Sequence, residues 1–253
     1  MKWEILAGLL SGVATAPLVS IVDQAIFCNA SGKATVMESL KTSFSTLLRS
    51  PGQFFRGPTF LWIWAVYGAT YAVSNTTERA LIDRGQANAS SSVTKFAASS
   101  GTNVGMSLLK DRAFTRMFGQ IAPRPLPPLS MLCYGMRDAI TIAASFSLVE
   151  PLGHAFSERA GIDRHASILL AQLACPLLAQ TLNTPLFLYG LNLYNAPSST
   201  AIQHTAFIRR EYLKTLACRV ARIAPAYSIG GVLNRTLRHK LGLLRDSNKY
   251  LIS

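Results

Sequence analysis

The chain has 253 residues, of which only 15% are charged, yet its net charge is +13 and its mean hydropathy is +0.26. Most of its long apolar runs lack the polar face that a soluble helix needs, which argues against a soluble helical protein. The basic residues flank those runs instead of forming one soluble basic surface, which argues against a nucleic-acid-binding protein.

Five segments are apolar, poor in charge and suited to the ~20-residue length that crosses a bilayer as a helix. They are residues 3–22, 60–75, 129–152, 166–193 and 216–233. A sixth segment, 93–109, is less apolar and would span a membrane only inside a bundle. The pattern therefore predicts an all-α integral membrane bundle of six transmembrane helices.

In chain order, the predicted helices form three tandem pairs within a single membrane domain. The pairs are 3–27 with 58–82, 91–118 with 129–153, and 165–193 with 216–243. The corresponding repeats are residues 1–84, 88–160 and 163–245. This organisation predicts pseudo-threefold symmetry.

Two connections within pairs predict short amphipathic helices on the membrane surface. In residues 31–50, Val36, Leu40 and Phe44 recur at helical spacing and oppose Lys41 and Arg49. Residues 198–215 are the second candidate. The middle connection, 119–130, contains four prolines and cannot form a regular helix.

Small residues recur four apart in the first helix of each pair, and such spacing lets helix backbones approach closely in lipid. The three sets are Gly8, Gly12 and Ala16; Gly101 and Gly105; and Ala171, Cys175 and Ala179. We expect these positions to lie at helix–helix contacts.

The cysteines and histidines are scattered and do not have the spacing of metal ligands or of a disulfide framework. The sequence also contains no phosphate-binding loop or catalytic triad, and no removable targeting segment is evident. We therefore expect neither enzymatic activity nor a cofactor or metal.

Prolines near the ends of two odd-numbered helices carry a resemblance to a known family. Pro17 and Pro185 occupy corresponding positions in the first and third pairs, and Leu109 stands at that position in the second. In the second pair, Asp111 and Arg116 follow at the distances of the motif Pro-x-(Asp/Glu)-x-x-(Lys/Arg)-x-(Lys/Arg). With three tandem pairs, the chain resembles the mitochondrial carrier family.

The resemblance implies a location in the mitochondrial inner membrane and a central cavity that binds substrate. The residues that it places at this cavity are Arg137, Asp138, Arg222 and Trp64. It implies residual ion pairs from Asp111, Arg116, Glu150, Arg235 and Arg238, with Glu150 bonded to Arg235 or Arg238. It also makes Pro17 and Pro185 helix-kink residues. Independently of the resemblance, the charges of the basic tail predict a lipid-facing helix end, and binding of an anionic lipid such as cardiolipin is the more specific interpretation.

Two functions follow from these expectations. Most of the charges that would close a carrier are replaced, which favours a structural or accessory subunit of a larger inner-membrane complex. Alternatively, ionised residues inside a membrane usually have a partner or a task. Arg137, Asp138 and Arg222 would then bind a small carboxylate or amino-acid-like metabolite in an atypical transporter. A purely structural role for the same charges is the competing interpretation.

Overall fold

The computed structural model describes residues 1–86, 89–161 and 163–241, and these residues form α-helices without a β-strand. The helices are α1 (Lys2–Ala30), α2 (Val36–Arg49), α3 (Pro51–Arg56), α4 (Pro58–Asp83), α5 (Ala89–Phe118), α6 (Pro128–Ser147), α7 (Val149–Ala160), α8 (Arg164–Asn195) and α9 (Ala201–Lys240). The predicted all-α class is confirmed. The end of the basic tail, 242–253, lies outside the described residues.

Local sequence signals explain where several helices begin and end. Proline begins α3, α4 and α6, where its missing N–H removes no helical hydrogen bond. Asp163 caps α8 by accepting hydrogen bonds from the backbone N–H groups of His165 and Ala166 at 3.0 and 3.3 Å. Gly161 follows α7 with a φ of 63°, a left-handed conformation that glycine adopts at low cost.

The amphipathic helix predicted within 31–50 is α2, and a capping box begins it. The Thr35 backbone N–H donates to Glu38 Oε2 at 2.9 Å, and the Glu38 N–H donates to Thr35 Oγ1 at 3.3 Å. The bonds from Thr35 hold the pKa of the Glu38 carboxyl below its ordinary value.

Two predicted boundaries are wrong. Residues 198–215 do not form a separate surface helix, because α9 runs without a break for 40 residues from Ala201. The predicted helix at 129–153 is interrupted at Leu148, and α6 and α7 meet there at an angle of 46°.

Two helices of the described chain, α1 and α8, are long and apolar enough to cross a membrane. The bent pair α6 and α7 would count as a third candidate span. A six-span bundle is therefore not confirmed, since α4, α5 and α9 do not meet the same length and hydropathy requirements within the described residues.

The chain divides into two compact units, each assembled from distant segments. The first unit comprises Met1–Ile21, Thr42–Lys110 and Ala224–Ser253, and the second comprises Val22–Lys41 and Asp111–Ile223. Helices α1, α2, α5 and α9 contribute residues to both units.

In the first unit, α1 and α4 pack with their backbones in close contact. A Cβ atom added at Gly12 would lie 2.7 Å from the Gly68 backbone N. The Trp64 indole N–H donates to the Leu9 carbonyl at 3.0 Å across the same contact. The close approach predicted for Gly12 is thus present, whereas a Cβ at Gly105 would meet no described atom within 4 Å.

Polar contacts connect more distant parts of the first unit. Arg238 Nε lies 2.7 Å from Glu4 Oε2, and Arg238 Nη1 lies 2.7 Å from Glu78 Oε2. Glu78 also pairs with Lys95 at 2.9 Å. One buried guanidinium therefore joins the start of α1 to the ends of α4 and α9.

The core of the second unit is aromatic. Phe187 of α8 packs edge-on to Phe27 of α1, with ring centroids 5.0 Å apart, and stacks on Tyr134 of α6 at 5.9 Å. Phe114 of α5 packs against Phe27 at 5.3 Å. All four rings are buried, so they fix the helices that carry the polar groups of this unit.

The proline-rich connection 119–127 docks onto the end of α8. Arg124 Nη2 donates to the carbonyls of Tyr194 and Leu193 at 2.7 and 3.3 Å, and its backbone N–H donates to the Tyr194 hydroxyl at 3.2 Å. The cation thus bonds carbonyl groups at the negative end of the helix dipole.

Candidate functional site

A buried cluster of charged side chains lies in the second unit, and Arg137 of α6 is at its centre. Arg137 Nη2 lies 2.7 Å from Asp111 Oδ2 of α5 and 2.7 Å from Asp138 Oδ1. Its Nε also donates to Asp138 Oδ1 at 2.8 Å. Arg137 is 5% exposed and Asp111 is fully buried, so this cation is held by two carboxylates inside the protein.

Tyr134, one turn before Arg137, extends the cluster. Its hydroxyl is 3.0 Å from Thr115 Oγ1, and the Arg137 guanidinium carbon lies 5.7 Å from its ring centroid. Because Phe187 stacks on the Tyr134 ring, with centroids 5.9 Å apart, the two rings form an apolar wall beside the charges.

A second arginine, Arg219 of α9, approaches the same wall. Its guanidinium carbon lies 5.2 Å from the Phe187 ring centroid, and its Nε donates to Gln180 Oε1 at 3.0 Å. Arg219 is 5% exposed. Among the described residues, no carboxylate lies within salt-bridge distance of it, although Asp111 and Asp138 are near enough to act on it electrostatically.

The third arginine, Arg222, lies one turn further along α9. Its Nη1 lies 2.8 and 3.0 Å from the two carboxylate oxygens of Asp23 in α1. Asp23 is buried and Arg222 is partly exposed. This pair joins α1 to α9 within the second unit.

Neutral polar side chains of α8 complete the cluster. Asn183, which is fully buried, donates through Nδ2 to Thr141 Oγ1 at 2.7 Å, and Thr141 Oγ1 donates to the Arg137 carbonyl at 3.1 Å. Two buried acceptors, Asn183 Oδ1 and Asp138 Oδ2, have no hydrogen-bond partner in the described part of the chain. Such acceptors are costly to bury without a donor.

The cluster thus brings together three of the predicted residues, Asp111, Arg137 and Asp138, and it has Arg222 as a neighbour of Arg219. Its six charged groups are three arginines and three aspartates, which sum to zero. Arginine binds carboxylates through paired N–H groups, and aspartate binds ammonium groups. The arrangement therefore suits a small polar solute with charges of both signs.

The remaining predicted site residues have other surroundings. Trp64 belongs to the first unit and uses its N–H on the Leu9 carbonyl. Arg116, Glu150 and Arg235 are exposed. Arg238 pairs with the carboxylates of Glu4 and Glu78, so the prediction that Arg238 pairs with Glu150 is wrong.

The two predicted kink prolines lie inside helices, Pro17 in α1 and Pro185 in α8, and α8 also contains Pro176. The Pro17 carbonyl accepts a hydrogen bond from Ser20 Oγ at 2.9 Å. Both α1 and α8 continue past these prolines, and both helices contribute residues to the second unit.

Sequence reasoning missed Arg219, Gln180 and Asp23. Arg219 and Arg222 are three residues apart, a spacing that puts both on one side of a helix. That signal was readable in the sequence. Asp23 was a lone acid at the end of an apolar run, and nothing in the sequence indicated Arg222 as its partner.

Among the described residues, no group of three or more histidine, cysteine, aspartate or glutamate side chains could hold a metal ion.

Among models of known protein families, one matches this sequence. The model of a family described as "Probable citrulline exporter" matches residues 7–242, which is nearly the whole chain. No curated protein matches the sequence significantly.

The family match overturns the resemblance to mitochondrial carriers, which is wrong. Tandem apolar helices with prolines and small residues are common to many membrane proteins, and the carrier motif was incomplete in every pair. The location in the mitochondrial inner membrane was implied by that resemblance and loses its support with it. An exporter family also favours the transporter hypothesis over the accessory-subunit hypothesis.

Proposed function

This chain belongs to the probable citrulline exporter family, and from that membership we propose that it is a multi-pass membrane transporter that exports citrulline or a closely similar amino acid. Its role is to move a solute across the bilayer and not to transform it.

The observation that carries this proposal is the charged cluster around Arg137 in the second unit. An ionised side chain at the middle of a bilayer costs about 2.5–3.5 kcal/mol on insertion scales, so such groups usually mark substrate pathways. Arg137, Asp138, Arg219 and Arg222 form the proposed substrate site. Asp111 and Asp23 hold two of the guanidinium groups in position.

Trp64 is left out of the proposed site because the Leu9 carbonyl already accepts its only N–H. A structural role at the contact between α1 and α4 accounts for it.

We further propose that the chain crosses the membrane six times as three helix pairs. The spans would be α1, α4, α5, the bent pair α6 and α7, α8, and α9. At 1.5 Å per residue, the 26 residues of α4 and the 30 of α5 exceed the ~30 Å hydrocarbon thickness. Single cysteines placed in each connection and labelled from one side of the membrane test this topology; connections two apart should label from the same side.

Export is tested by reconstituting the purified full chain in liposomes. Vesicles loaded with unlabelled L-citrulline should accumulate external labelled L-citrulline by exchange, and empty vesicles should not. Asp138→Asn should reduce the exchange rate at least tenfold, whereas Arg235→Gln, a change at an exposed arginine, should retain it.

Absence of exchange with citrulline and with a panel of other amino acids would refute the proposal. Migration of the native chain in fixed stoichiometry with one large complex, together with absent exchange, would restore the accessory-subunit hypothesis.

A further inference from the structure

We infer that Arg219 binds the carboxylate of the transported solute and that Asp138 binds its ammonium group, so that the site selects zwitterionic amino acids with an uncharged side chain. This inference rests on the proposal that the cluster in the second unit is the substrate site. It assigns different tasks to three arginines that look equivalent in the sequence.

Arg219 is the arginine of the cluster without a carboxylate partner among the described residues. Its Nε is bonded to Gln180 at 3.0 Å, and its face lies against Phe187. These contacts fix the guanidinium plane and leave both terminal nitrogens, Nη1 and Nη2, for a ligand. A carboxylate accepts two parallel hydrogen bonds from such a fork.

Arg137 and Arg222 are already matched with carboxylates. Arg137 contacts both Asp111 and Asp138 at 2.7 Å, and Arg222 contacts Asp23 at 2.8 Å. A solute carboxylate would have to compete with a buried aspartate for either of them. We therefore assign these two arginines to positioning of the site and not to the solute carboxylate.

The ammonium group has a different set of partners. Asp138 accepts both Arg137 hydrogen bonds on Oδ1, while its buried Oδ2 has no partner within the described chain. Asn183 Oδ1 is a second acceptor without a hydrogen-bond partner among the described residues. Asn183 lies near Asp138, because its Nδ2 donates to the hydroxyl of Thr141, which is one turn after Asp138 on α6. An ammonium group carries three N–H donors and satisfies such acceptors.

Charge balance then sets the selectivity. Arg137, Arg219 and Arg222 balance Asp23, Asp111 and Asp138, so the cluster by itself is neutral. A solute with one carboxylate and one ammonium group leaves it neutral. A solute with a further ammonium or carboxylate group adds an uncompensated charge to a buried site, which is unfavourable.

The test compares three probes on the full chain in detergent: L-citrulline, its carboxamide, which lacks the carboxylate, and N-acetyl-L-citrulline, which lacks the ammonium group. Ligand-induced thermal stabilisation over a concentration series gives the affinities. In the wild type, each altered probe should bind at least about tenfold more weakly than L-citrulline, because a hydrogen bond to a charged group is lost. L-ornithine should be similarly disfavoured.

Arg219→Gln should weaken L-citrulline binding and remove its advantage over the carboxamide, while the advantage over the N-acetyl probe remains. Arg219→Lys keeps the positive charge but lacks the two parallel N–H donors of the guanidinium, so it should retain part of the preference for L-citrulline over the carboxamide. Arg235→Gln serves as the matched control on the same helix. Equal binding of L-citrulline and its carboxamide to the wild type would overturn the inference. A folded Arg219→Gln variant that still prefers L-citrulline to the carboxamide as strongly as the wild type would overturn it too.

The two proposals fail in different ways. Exchange of citrulline by a wild type that does not distinguish the carboxamide refutes the role of Arg219 and leaves the export proposal standing. If the wild type binds L-glutamine but not L-citrulline, the same comparison is made with glutamine and its carboxamide, and citrulline as the substrate is refuted. Binding of no amino acid in the panel refutes both.

Discussion

Arg137 and Asp111 form an ion pair between α6 and α5, with Nη2 2.7 Å from Oδ2 and both side chains buried. The pair links two helices that are consecutive in the chain but are separated by the proline-rich connection. Asp138 shares the guanidinium, so Arg137 contacts two carboxylates and keeps one of them if the other is removed.

This arrangement predicts unequal effects of two substitutions that each remove one charge. Arg137→Gln removes the guanidinium that Asp111 and Asp138 share, so it breaks two ion pairs and should lower the free energy of unfolding by about 3–5 kcal/mol. Asp111→Asn should cost less, because Arg137 keeps Asp138. Reversible unfolding in mixed detergent and SDS micelles measures both values. A larger loss from Asp111→Asn than from Arg137→Gln would contradict the central position of Arg137.

In the first unit, Arg238 and Lys95 both contact Glu78, yet we expect only one of them to matter for stability. Arg238 is buried and also holds the fully buried Glu4, whereas the Lys95 side chain is 35% exposed. Arg238→Gln should lower the free energy of unfolding by about 3–5 kcal/mol. Lys95→Gln should lower it by at most about 1 kcal/mol. Comparable losses for the two variants, measured in the same micelles, would disagree with the observed burial.

Two glycines test the backbone contact between α1 and α4. Gly12→Ala places a methyl group 2.7 Å from the Gly68 backbone N, which cannot move without shifting α4. It should destabilise the protein by about 1–3 kcal/mol. Gly105→Ala meets no described atom and should be neutral or stabilise by up to about 1 kcal/mol, since alanine favours helix. Thermal unfolding of both variants decides this, and a neutral Gly12→Ala would be evidence against the contact.

The bond between Arg124 and the end of α8 gives a further matched comparison. Arg124→Ala removes a cation from the carbonyls of Tyr194 and Leu193 and should cost about 1–3 kcal/mol. Arg116→Ala, at an exposed arginine in the same half of the chain, should change stability by less than about 0.5 kcal/mol. Hydrogen exchange should also accelerate at the end of α8 in the Arg124 variant alone.

The helices were largely predictable because long apolar runs and prolines mark them directly. The prediction of 165–193 differs from α8, Arg164–Asn195, by one and two residues at its ends. The exception is α9, where a polar stretch continues into an apolar one without a proline or glycine to separate them near residue 215. A change of polarity ends a span, but it does not end a helix.

The charged cluster was predictable only in part. Arg137 and Asp138 stood out as charges within an apolar run, which is costly enough to be informative. Asp111, the partner of Arg137 on α5, fitted the carrier motif and was therefore predicted to be part of a residual ion pair of the gate. Arg219 and Asp23 fell outside that motif. Partners from distant helices depend on tertiary packing, which periodicity along one helix does not encode.

The length of α9 has a consequence for the membrane. Its 40 residues rise about 60 Å, twice the ~30 Å of hydrocarbon that a span must cross. If α9 spans the bilayer, about half of it must project into water or lie within the headgroup layer. Arg209, Arg210 and Lys214, near its beginning, suit the half outside the hydrocarbon. The chain would thus present a charged helical surface on one side of the membrane, formed by the same helix that carries Arg219 and Arg222.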